Sequence, residues 1–284
     1  MEAKPAGWAS GYASWFGLQS VADRYSSRPP YPEEAVAVLT SLIAPTARTV
    51  LDAGCGVGDL ARPLAPHVDR VDAVDPSSPM LVRGADLPGG GAMNLRWIHS
   101  GIESAVLRPP YGLIVCGDSV HWFDWAVALT RFSDSLAPDG CLAIVQRDWS
   151  AGEGLQARLR AIYASHGANP DFQPLDPVAE LERRGLFQRA GEHVTAPATW
   201  SPTLDALIAC HHSQNGFVLE KMRDPAAFDR ELADVMADVA TDDGRLALEV
   251  VARIVWGRPF RAEDAAETRS VPAAVCPRIS RWRG

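Results

Sequence analysis

The chain has 284 residues, 47% of them hydrophobic and 22% charged, a composition that excludes a disordered or low-complexity chain. This length suits one α/β domain with a small added lid. The formal net charge of −8 argues against broad binding to nucleic-acid phosphates. No apolar run approaches the roughly 20 residues that span a bilayer. The N-terminal residues also lack a signal-peptide pattern, so we expect no membrane partner and a cytoplasmic location.

Short apolar segments rich in β-branched residues alternate with helical stretches from residue 49 onward. The first five predicted strands are 49–52, 70–75, 94–98, 111–116 and 141–146. Such segments are typical of parallel strands that helices cover on both faces. Repeated β-α units therefore predict an α/β fold with a doubly wound, mostly parallel sheet.

The segments around these strands are predicted to be mainly helical. Helices are expected at 33–43, 155–165, 176–184, 203–212 and 228–239, with further strands at 190–199 and 246–256. This pattern divides the chain into an N-terminal helical cap (1–46), a central core (47–200), a helical lid with the last core strand (201–261) and a flexible tail (262–284). The core and the last strand together make a seven-stranded sheet.

A glycine-rich turn follows the first strand and is the strongest functional signal. A dinucleotide site requires Gly-x-Gly-x-x-Gly, but counting from Gly54 the last position is Asp59, and Gly58 comes one residue early. Asp52 before the turn would repel a pyrophosphate, whereas it suits a ligand with an ammonium or sulfonium group. Asp75, at the end of the second strand, can accept hydrogen bonds from two ribose hydroxyls. These features predict S-adenosylmethionine as the cofactor, the alternative being a tight turn without a ligand.

The turn resembles the first motif of the class I S-adenosylmethionine-dependent methyltransferases, and residues 74–81 resemble the end of their second strand. Residues 100–103 are similar to the third motif, with Gly101 where the family often has an acid. Residues 25–32 and 116–123 resemble a subgroup similar to trans-aconitate methyltransferase. The resemblance implies a Rossmann-like core with these cofactor-binding residues: Tyr25, Arg28, Asp52, Gly54, Cys55, Gly56, Asp75, Pro76, Met80, Gly101, Ile102, Glu103 and Cys116.

His121 is the candidate catalytic residue because it follows the fourth strand, at the sheet edge where α/β folds bind ligands. An unperturbed imidazole titrates near pH ~6.5, which suits a general base, and the alternatives are that it positions the acceptor or orients a loop. The candidate substrate residues are Trp15, Tyr31, Trp122, His211 and His212, each of which simple packing would also explain. No metal site is expected, since the five cysteines show no ligand spacing.

The sequence therefore predicts an enzyme that moves a methyl group from S-adenosylmethionine to an oxygen, nitrogen or carboxylate of a small molecule. Its cap and lid should enclose a pocket, which is unsuited to nucleic acid. Three alternatives stay open: a nicotinamide-dependent reductase, a non-catalytic S-adenosylmethionine-binding scaffold, and an enzyme that uses the same cofactor for a rearrangement. The oligomeric state is open as well.

Overall fold

The computed structural model describes residues 4, 6–8 and 10–264, and within them eight strands form one sheet. The strands are β1 (Thr49–Ala53), β2 (Arg70–Asp75), β3 (Leu95–His99), β4 (Tyr111–Gly117), β5 (Leu136–Ser150), β6 (Phe187–Val194), β7 (Ala198–Trp200) and β8 (Leu248–Pro259). Their order is β3-β2-β1-β4-β5-β8-β6, with β7 also paired to β8. Neighbouring strands among β1–β5 pair parallel, and β8 pairs antiparallel with β5, β6 and β7. The predicted α/β fold with a mostly parallel sheet is confirmed.

The sheet has one strand more than predicted, because the segment predicted as a single strand over 190–199 contains parts of two. Pro197 lies between β6 and β7, and a proline cannot donate a ladder hydrogen bond. Thr195 nevertheless keeps the chain beside β8, since its amide donates to the carbonyl of Ala252 at 2.9 Å and its Oγ1 accepts from the Ala252 amide at 3.0 Å.

The five helices whose ranges were predicted from the sequence are present with shifted boundaries, and five further α-helices are found in the described residues. They are α1 (Ser10–Ala13), α2 (Gln19–Tyr25), α3 (Glu33–Ser41), α4 (Ala61–Leu64), α5 (Ser78–Asp86), α6 (Trp125–Ser135), α7 (Glu153–His166), α8 (Pro177–Arg183), α9 (Leu204–His212) and α10 (Pro225–Met236). Side chains cap several of their N-termini, including Asp124 before α6 and Asp176 before α8, each of which accepts two backbone N–H bonds. Such caps stabilise a helix start by about 1 kcal/mol.

Apolar side chains cover both faces of the sheet, because successive residues of a strand point to opposite faces. Leu51 packs into one core cluster and its neighbour Val50 into the other. A third cluster lies under the lid, where α7, α9 and α10 pack against β7 and β8. At the carboxyl edge of the parallel strands, Val21 of α2 packs against Val57 and Met80. The N-terminal helices are therefore held directly over the glycine-rich turn.

The division into cap, core, lid and tail stays a prediction, and from residue 265 onward the predicted tail lies outside the described residues. Across the part of the chain that the structure covers, we find no helix both long enough and apolar enough to cross a bilayer.

Candidate functional site

The glycine-rich turn adopts a backbone that other residues would strain. Gly54, Gly56 and Gly58 have φ angles of +70°, +54° and +77°, a region that L side chains rarely occupy. A Cβ atom on Gly58 would also lie 2.5 Å from the ring of Trp97. The Gly54 amide donates to the carbonyl of Val74 at 2.8 Å. The turn is thus tight and attached to the end of β2.

Asp75 connects the end of β2 to this turn. Its Oδ2 accepts from the Gly56 amide and its Oδ1 from the Ser77 amide, both at 2.8 Å. Burial raises the pKa of Asp75, while these two backbone bonds oppose the rise. Each carboxylate oxygen has about two lone pairs, so both can accept a further hydrogen bond from a ligand.

A cleft of about 720 Å³, partly open to solvent, lies beside the turn, and we call it the glycine-turn cleft. Predicted site residues that line it are Tyr25, Arg28, Gly54, Gly56, Asp75, Pro76, Met80, Gly101, Ile102, Glu103 and Trp122. The remaining lining residues, which the sequence analysis did not assign to it, are Ala13, Phe16, Gly117, Asp118, Ser119 and Phe123. Gly117 ends β4 and three others follow it within six residues, at the edge where the ligand was expected.

Three predicted cofactor residues lie outside this cleft. Asp52 and Cys55 line a small cavity behind the turn. Cys116 requires a correction: it is fully buried in the core cluster that also contains Ile114. Strand alternation directs the Cys116 side chain into this core, so its thiol does not line the cleft.

Asp52 is a buried carboxyl group, and one of its two oxygens lacks a hydrogen-bond partner among the described residues. Burial raises its pKa to about 8, opposed by a hydrogen bond from the Ala61 amide. Its Oδ2 makes no hydrogen bond within the described residues. A buried carboxyl group of this kind fits a cationic ligand, since an opposite charge favours the ionised form. The residues around the turn therefore fit a nucleoside that carries a cationic amino-acid arm.

A second cavity of about 760 Å³ adjoins the glycine-turn cleft. Its lining residues are Arg28, Pro29, Asp118, Arg147, Asp148, Trp149, Gln156, Tyr163, Cys210 and Gln214. Arg28 and Asp118 line both spaces. The two spaces therefore meet at a pair of oppositely charged residues.

Hydrogen bonds hold both residues of this junction. Arg28 donates from Nε to Ser213 Oγ at 2.9 Å and from Nη2 to the Ser213 carbonyl at 2.6 Å, with its guanidinium 4.0 Å from the Tyr25 ring centroid. Asp118 has a φ of +51° and accepts from Tyr31 Oη at 3.0 Å and from the Arg147 amide at 3.1 Å. No carboxylate forms an ion pair with Arg28 in the described structure, so its charge is available to an anionic ligand.

The structure places His121, the predicted catalytic residue, in an aromatic cluster. Its imidazole packs against the rings of Trp8 and Trp122, at centroid distances of 4.5 and 4.9 Å, and it lines neither cavity. Burial, together with the positive charges of Lys4 and Arg28, lowers its pKa to about 3. A ring with so low a pKa is a weak base, and of its two aromatic neighbours Trp122 lines the glycine-turn cleft. These features do not favour a general base, and the catalytic role of His121 stays a prediction.

The two adjacent histidines of α9 are buried and point to different partners. His211 bonds Tyr163 Oη through Nε2 and the Leu207 carbonyl through Nδ1, both at 2.8 Å. His212 bonds the Phe217 carbonyl at 2.7 Å and Asp229 at 2.8 Å. Neither lines the glycine-turn cleft or the second cavity, and the prediction that they contact substrate directly stays a prediction.

The other two substrate candidates are also displaced from the second cavity. Trp15 packs 5.0 Å from the Tyr12 ring and 5.6 Å from Lys221 Nζ. Tyr31 lines only the small cavity behind the turn, where its hydroxyl is held by Asp118. Of the five substrate candidates, Trp122 is the one that lines the glycine-turn cleft, and none of them lines the second cavity.

Sequence reasoning did not assign the residues of the second cavity that come from the end of β5 and from α7. Arg147 and Asp148 follow the apolar part of β5, a signal comparable to the one that singled out Asp75. Tyr163 and Gln156 lie on a helix with no distinguishing motif. Their approach to the site depends on how α7 packs against α9 and α10, which a local pattern does not reveal.

The profile of a family described as "Methyltransferase domain" matches residues 50–140. An uncharacterized methyltransferase of Mycobacterium tuberculosis is 34% identical over 115 residues, which are 38% of this chain and 55% of that protein. A Saccharomyces cerevisiae protein named as a probable S-adenosylmethionine-dependent methyltransferase is 26% identical over 120 residues, 41% of each chain. The chain thus spans about half or less of the length of the curated relatives it matches.

A solved structure from Anaeromyxobacter dehalogenans, assigned to the type II methyltransferases, has a TM-score of 0.62. It is 23% identical, and the match covers 82% of this chain and 99% of that one. This likeness confirms the Rossmann-like fold. Residues 50–140 therefore match a methyltransferase domain in sequence, within a chain that has the Rossmann-like fold.

Proposed function

We propose that this protein transfers a methyl group from S-adenosylmethionine to a small polar molecule bound in the second cavity. The observation that carries the proposal is the junction at Arg28 and Asp118, where the glycine-turn cleft and the second cavity meet. This junction lies at the carboxyl edge of the sheet, where open α/β folds bind their ligands. A cofactor and an acceptor bound on its two sides would be neighbours.

Different residues around the cleft bind different parts of the cofactor. Asp75 accepts hydrogen bonds from the ribose, and Met80 packs beside the adenine. The carboxyl group of Asp52 compensates positive charge on the amino-acid arm. Arg28 binds a carboxylate, either that of the cofactor's arm or that of the acceptor.

The cofactor, when bound, supplies a methyl group activated by a sulfonium charge. The chain then has two tasks, to align the acceptor and to exclude water. Phe16, Trp122 and Phe123 form an apolar wall on one side of the cleft. We assign no general base, because His121 lies outside both spaces, and acceptors that are already anionic or carry a free amine need none.

The alternatives from the sequence fit these features less well. A nicotinamide cofactor would place its pyrophosphate next to Asp52, which is unfavourable when that group is ionised. A scaffold subunit would need no second space next to the cofactor, whereas this chain has one lined by charged and aromatic side chains. The finer assignment to a subgroup similar to trans-aconitate methyltransferase remains part of the proposal.

The test is incubation with methyl-labelled S-adenosylmethionine and a panel of small carboxylic acids, phenols and amines, read by mass spectrometry. We expect label in one chemical class of product, and loss of transfer in Asp75→Ala but not in Asp69→Ala. Asp69 is exposed and lies next to the opposite end of β2, so it is the matched control. Cofactor binding without transfer to any acceptor would support the scaffold instead.

A further inference from the structure

Tyr163 is the one tyrosine that lines the second cavity in the described structure, and it contacts a buried histidine. We propose that Tyr163, held by His211, is a hydrogen-bond acceptor through which this cavity recognises a hydroxyl group of the methyl acceptor. The proposal rests on the proposed function, since it deepens the assignment of the second cavity. His211 is a positioning residue, because it acts through Tyr163.

The hydrogen bonds of His211 define its tautomer. Nδ1 lies 2.8 Å from the carbonyl oxygen of Leu207, and a carbonyl can only accept. Nδ1 therefore carries the hydrogen, and in a neutral imidazole Nε2 is then an acceptor. Nε2 lies 2.8 Å from Tyr163 Oη. The tyrosine hydroxyl must donate its hydrogen to His211.

The surroundings keep this pair neutral. The rings of Trp149, Phe217 and Phe228 lie 5.6–5.8 Å from the His211 ring. Burial lowers the pKa of His211 to about 4, and burial also raises the pKa of Tyr163. A protonated His211 would require a desolvated charge in an aromatic cluster, which is costly. The pair therefore does not exchange its proton at neutral pH.

A hydroxyl that has donated its hydrogen can only accept further bonds. Tyr163 Oη keeps lone pairs for this purpose, and no other group in the described residues bonds it. The matching ligand group is a hydrogen-bond donor. A hydroxyl group is such a donor, and Arg28, which lines the same cavity and has no carboxylate partner in the described structure, can bind a carboxylate of the same molecule. Trp149 adds an aromatic surface. A hydroxylated aromatic carboxylate therefore has one group for each of three residues: its hydroxyl for Tyr163, its carboxylate for Arg28 and its ring for Trp149.

The test uses the full chain saturated with S-adenosylhomocysteine and three probes: 4-hydroxybenzoate, 4-methoxybenzoate and benzoate. Isothermal titration calorimetry should show that 4-hydroxybenzoate binds roughly 2- to 10-fold more tightly than the other two probes. This ratio of affinities corresponds to the free energy of one neutral hydrogen bond. Tyr163→Phe should abolish this preference. Tyr12→Phe should leave it unchanged, since Tyr12 bonds Asp171 and lines neither cavity.

His211 is tested by rescue and by spectroscopy. His211→Phe should remove most of the preference, whereas His211→Gln should keep much of it, because the glutamine amide oxygen can accept from Tyr163. Nitrogen-15 NMR of the wild-type protein should show His211 with hydrogen on Nδ1 and none on Nε2. This spectrum needs no variant, so a variant that fails to fold does not remove the test.

Equal binding of the three probes, or binding of none, would overturn the proposal. So would a hydroxyl preference that survives in Tyr163→Phe, or a spectrum with hydrogen on Nε2. Binding of S-adenosylhomocysteine is measured first, because its absence would count against the proposed function itself. Cofactor binding without a hydroxyl preference would count against the role of Tyr163 alone.

Discussion

Asp75 is bonded to two backbone amides of the turn region while both of its oxygens can still accept from a ligand. Asp75→Ala should weaken S-adenosylhomocysteine binding on the order of 10- to 1,000-fold, because each charge-assisted hydrogen bond contributes roughly 1.5–3 kcal/mol. Calorimetry measures this change, with Asp69→Ala at wild-type affinity as the control. Unchanged affinity in Asp75→Ala would show that the ribose is held elsewhere.

Asp52 makes stability depend on pH. Between pH 3.8 and about 8 the folded chain holds a proton on Asp52 that the unfolded chain has lost, so this residue destabilises the fold progressively as the pH rises through that window. Asp52→Asn should therefore gain stability relative to wild type with rising pH, by up to roughly 1.4 kcal/mol per pH unit.

Denaturant unfolding of both proteins at several pH values between 5 and 8 measures the difference. If the gap between the two free energies of unfolding did not change with pH, Asp52 would be ionised in the folded chain.

His121 should not shape the pH dependence of turnover. Its pKa of about 3 keeps the imidazole neutral across pH 5–9, and its ring is packed against Trp8 and Trp122. His121→Gln should lower stability by about 1–3 kcal/mol through lost packing but leave turnover within a few-fold of wild type. A loss of roughly 10²–10⁴-fold, typical of a missing general base, would restore the catalytic role that the sequence predicted.

The site residues that sequence reasoning located are those at strand ends. Asp75 and Gly101 follow parallel strands, and chain order alone places them at one edge of the sheet. Tyr163 could not be located, because its position depends on how α7 packs. The surroundings of His121 could not be predicted for a similar reason: one ring packed against it belongs to Trp8, more than a hundred residues away in the sequence.

At the scale of the elements, the segment before α1 is held between two loops and so closes one side of the site. Trp8 contacts the rings of His121, Trp122 and Phe172, and its Nε1 donates to the Gln173 carbonyl at 2.9 Å. Lys4 Nζ donates to the carbonyls of His121 and Phe123 at 2.9 and 2.6 Å. This attachment positions α1, α2 and the turn between them, and so places Phe16 of the turn and Tyr25 of α2 at the cleft.

Trp8→Ala should release this N-terminal segment while the sheet stays folded. Removal of a buried Trp side chain costs about 3–5 kcal/mol, and here the loss should appear as local opening. Hydrogen exchange should accelerate over residues 10–25 and stay slow in β1 and β4. Phe172→Ala is the comparison, because Phe172 contacts the same ring but is more than half exposed. Accelerated exchange throughout the sheet would instead show that the segment and the core unfold together.

The strand pattern predicted the sheet well because each parallel strand is a short apolar run bounded by turn residues. It did not predict that β6 and β7 are separate strands. In the sequence, apolar and polar residues continue to alternate through Pro197, which lies between the two strands. Helix bounds shifted by up to three residues, because capping side chains such as Asp224 determine where a helix begins.

At the scale of the whole molecule, the site is assembled from three distant parts of the chain. The glycine turn and Asp75 come from the sheet core, and Phe16, Tyr25 and Arg28 come from the N-terminal segment. Arg28 also bonds Ser213 at the end of α9, which is the third part. A ligand bound among them contacts all three parts at once. Its binding free energy therefore adds to the stability of the entire fold.

This assembly predicts which cofactor stabilises the protein. S-adenosylhomocysteine at one hundred times its Kd should add about 2.7 kcal/mol to the free energy of unfolding, which raises the Tm by roughly 5–10 °C for a chain of this size. NADH should produce no shift, because the turn is Gly-x-Gly-x-Gly and lacks the last glycine of the Gly-x-Gly-x-x-Gly that a dinucleotide site requires. Differential scanning calorimetry measures both shifts, and in Asp75→Ala the shift with S-adenosylhomocysteine should shrink at the same ligand concentration. A shift with NADH alone would mean that the cleft binds a dinucleotide, and the proposed methyl transfer would then be wrong.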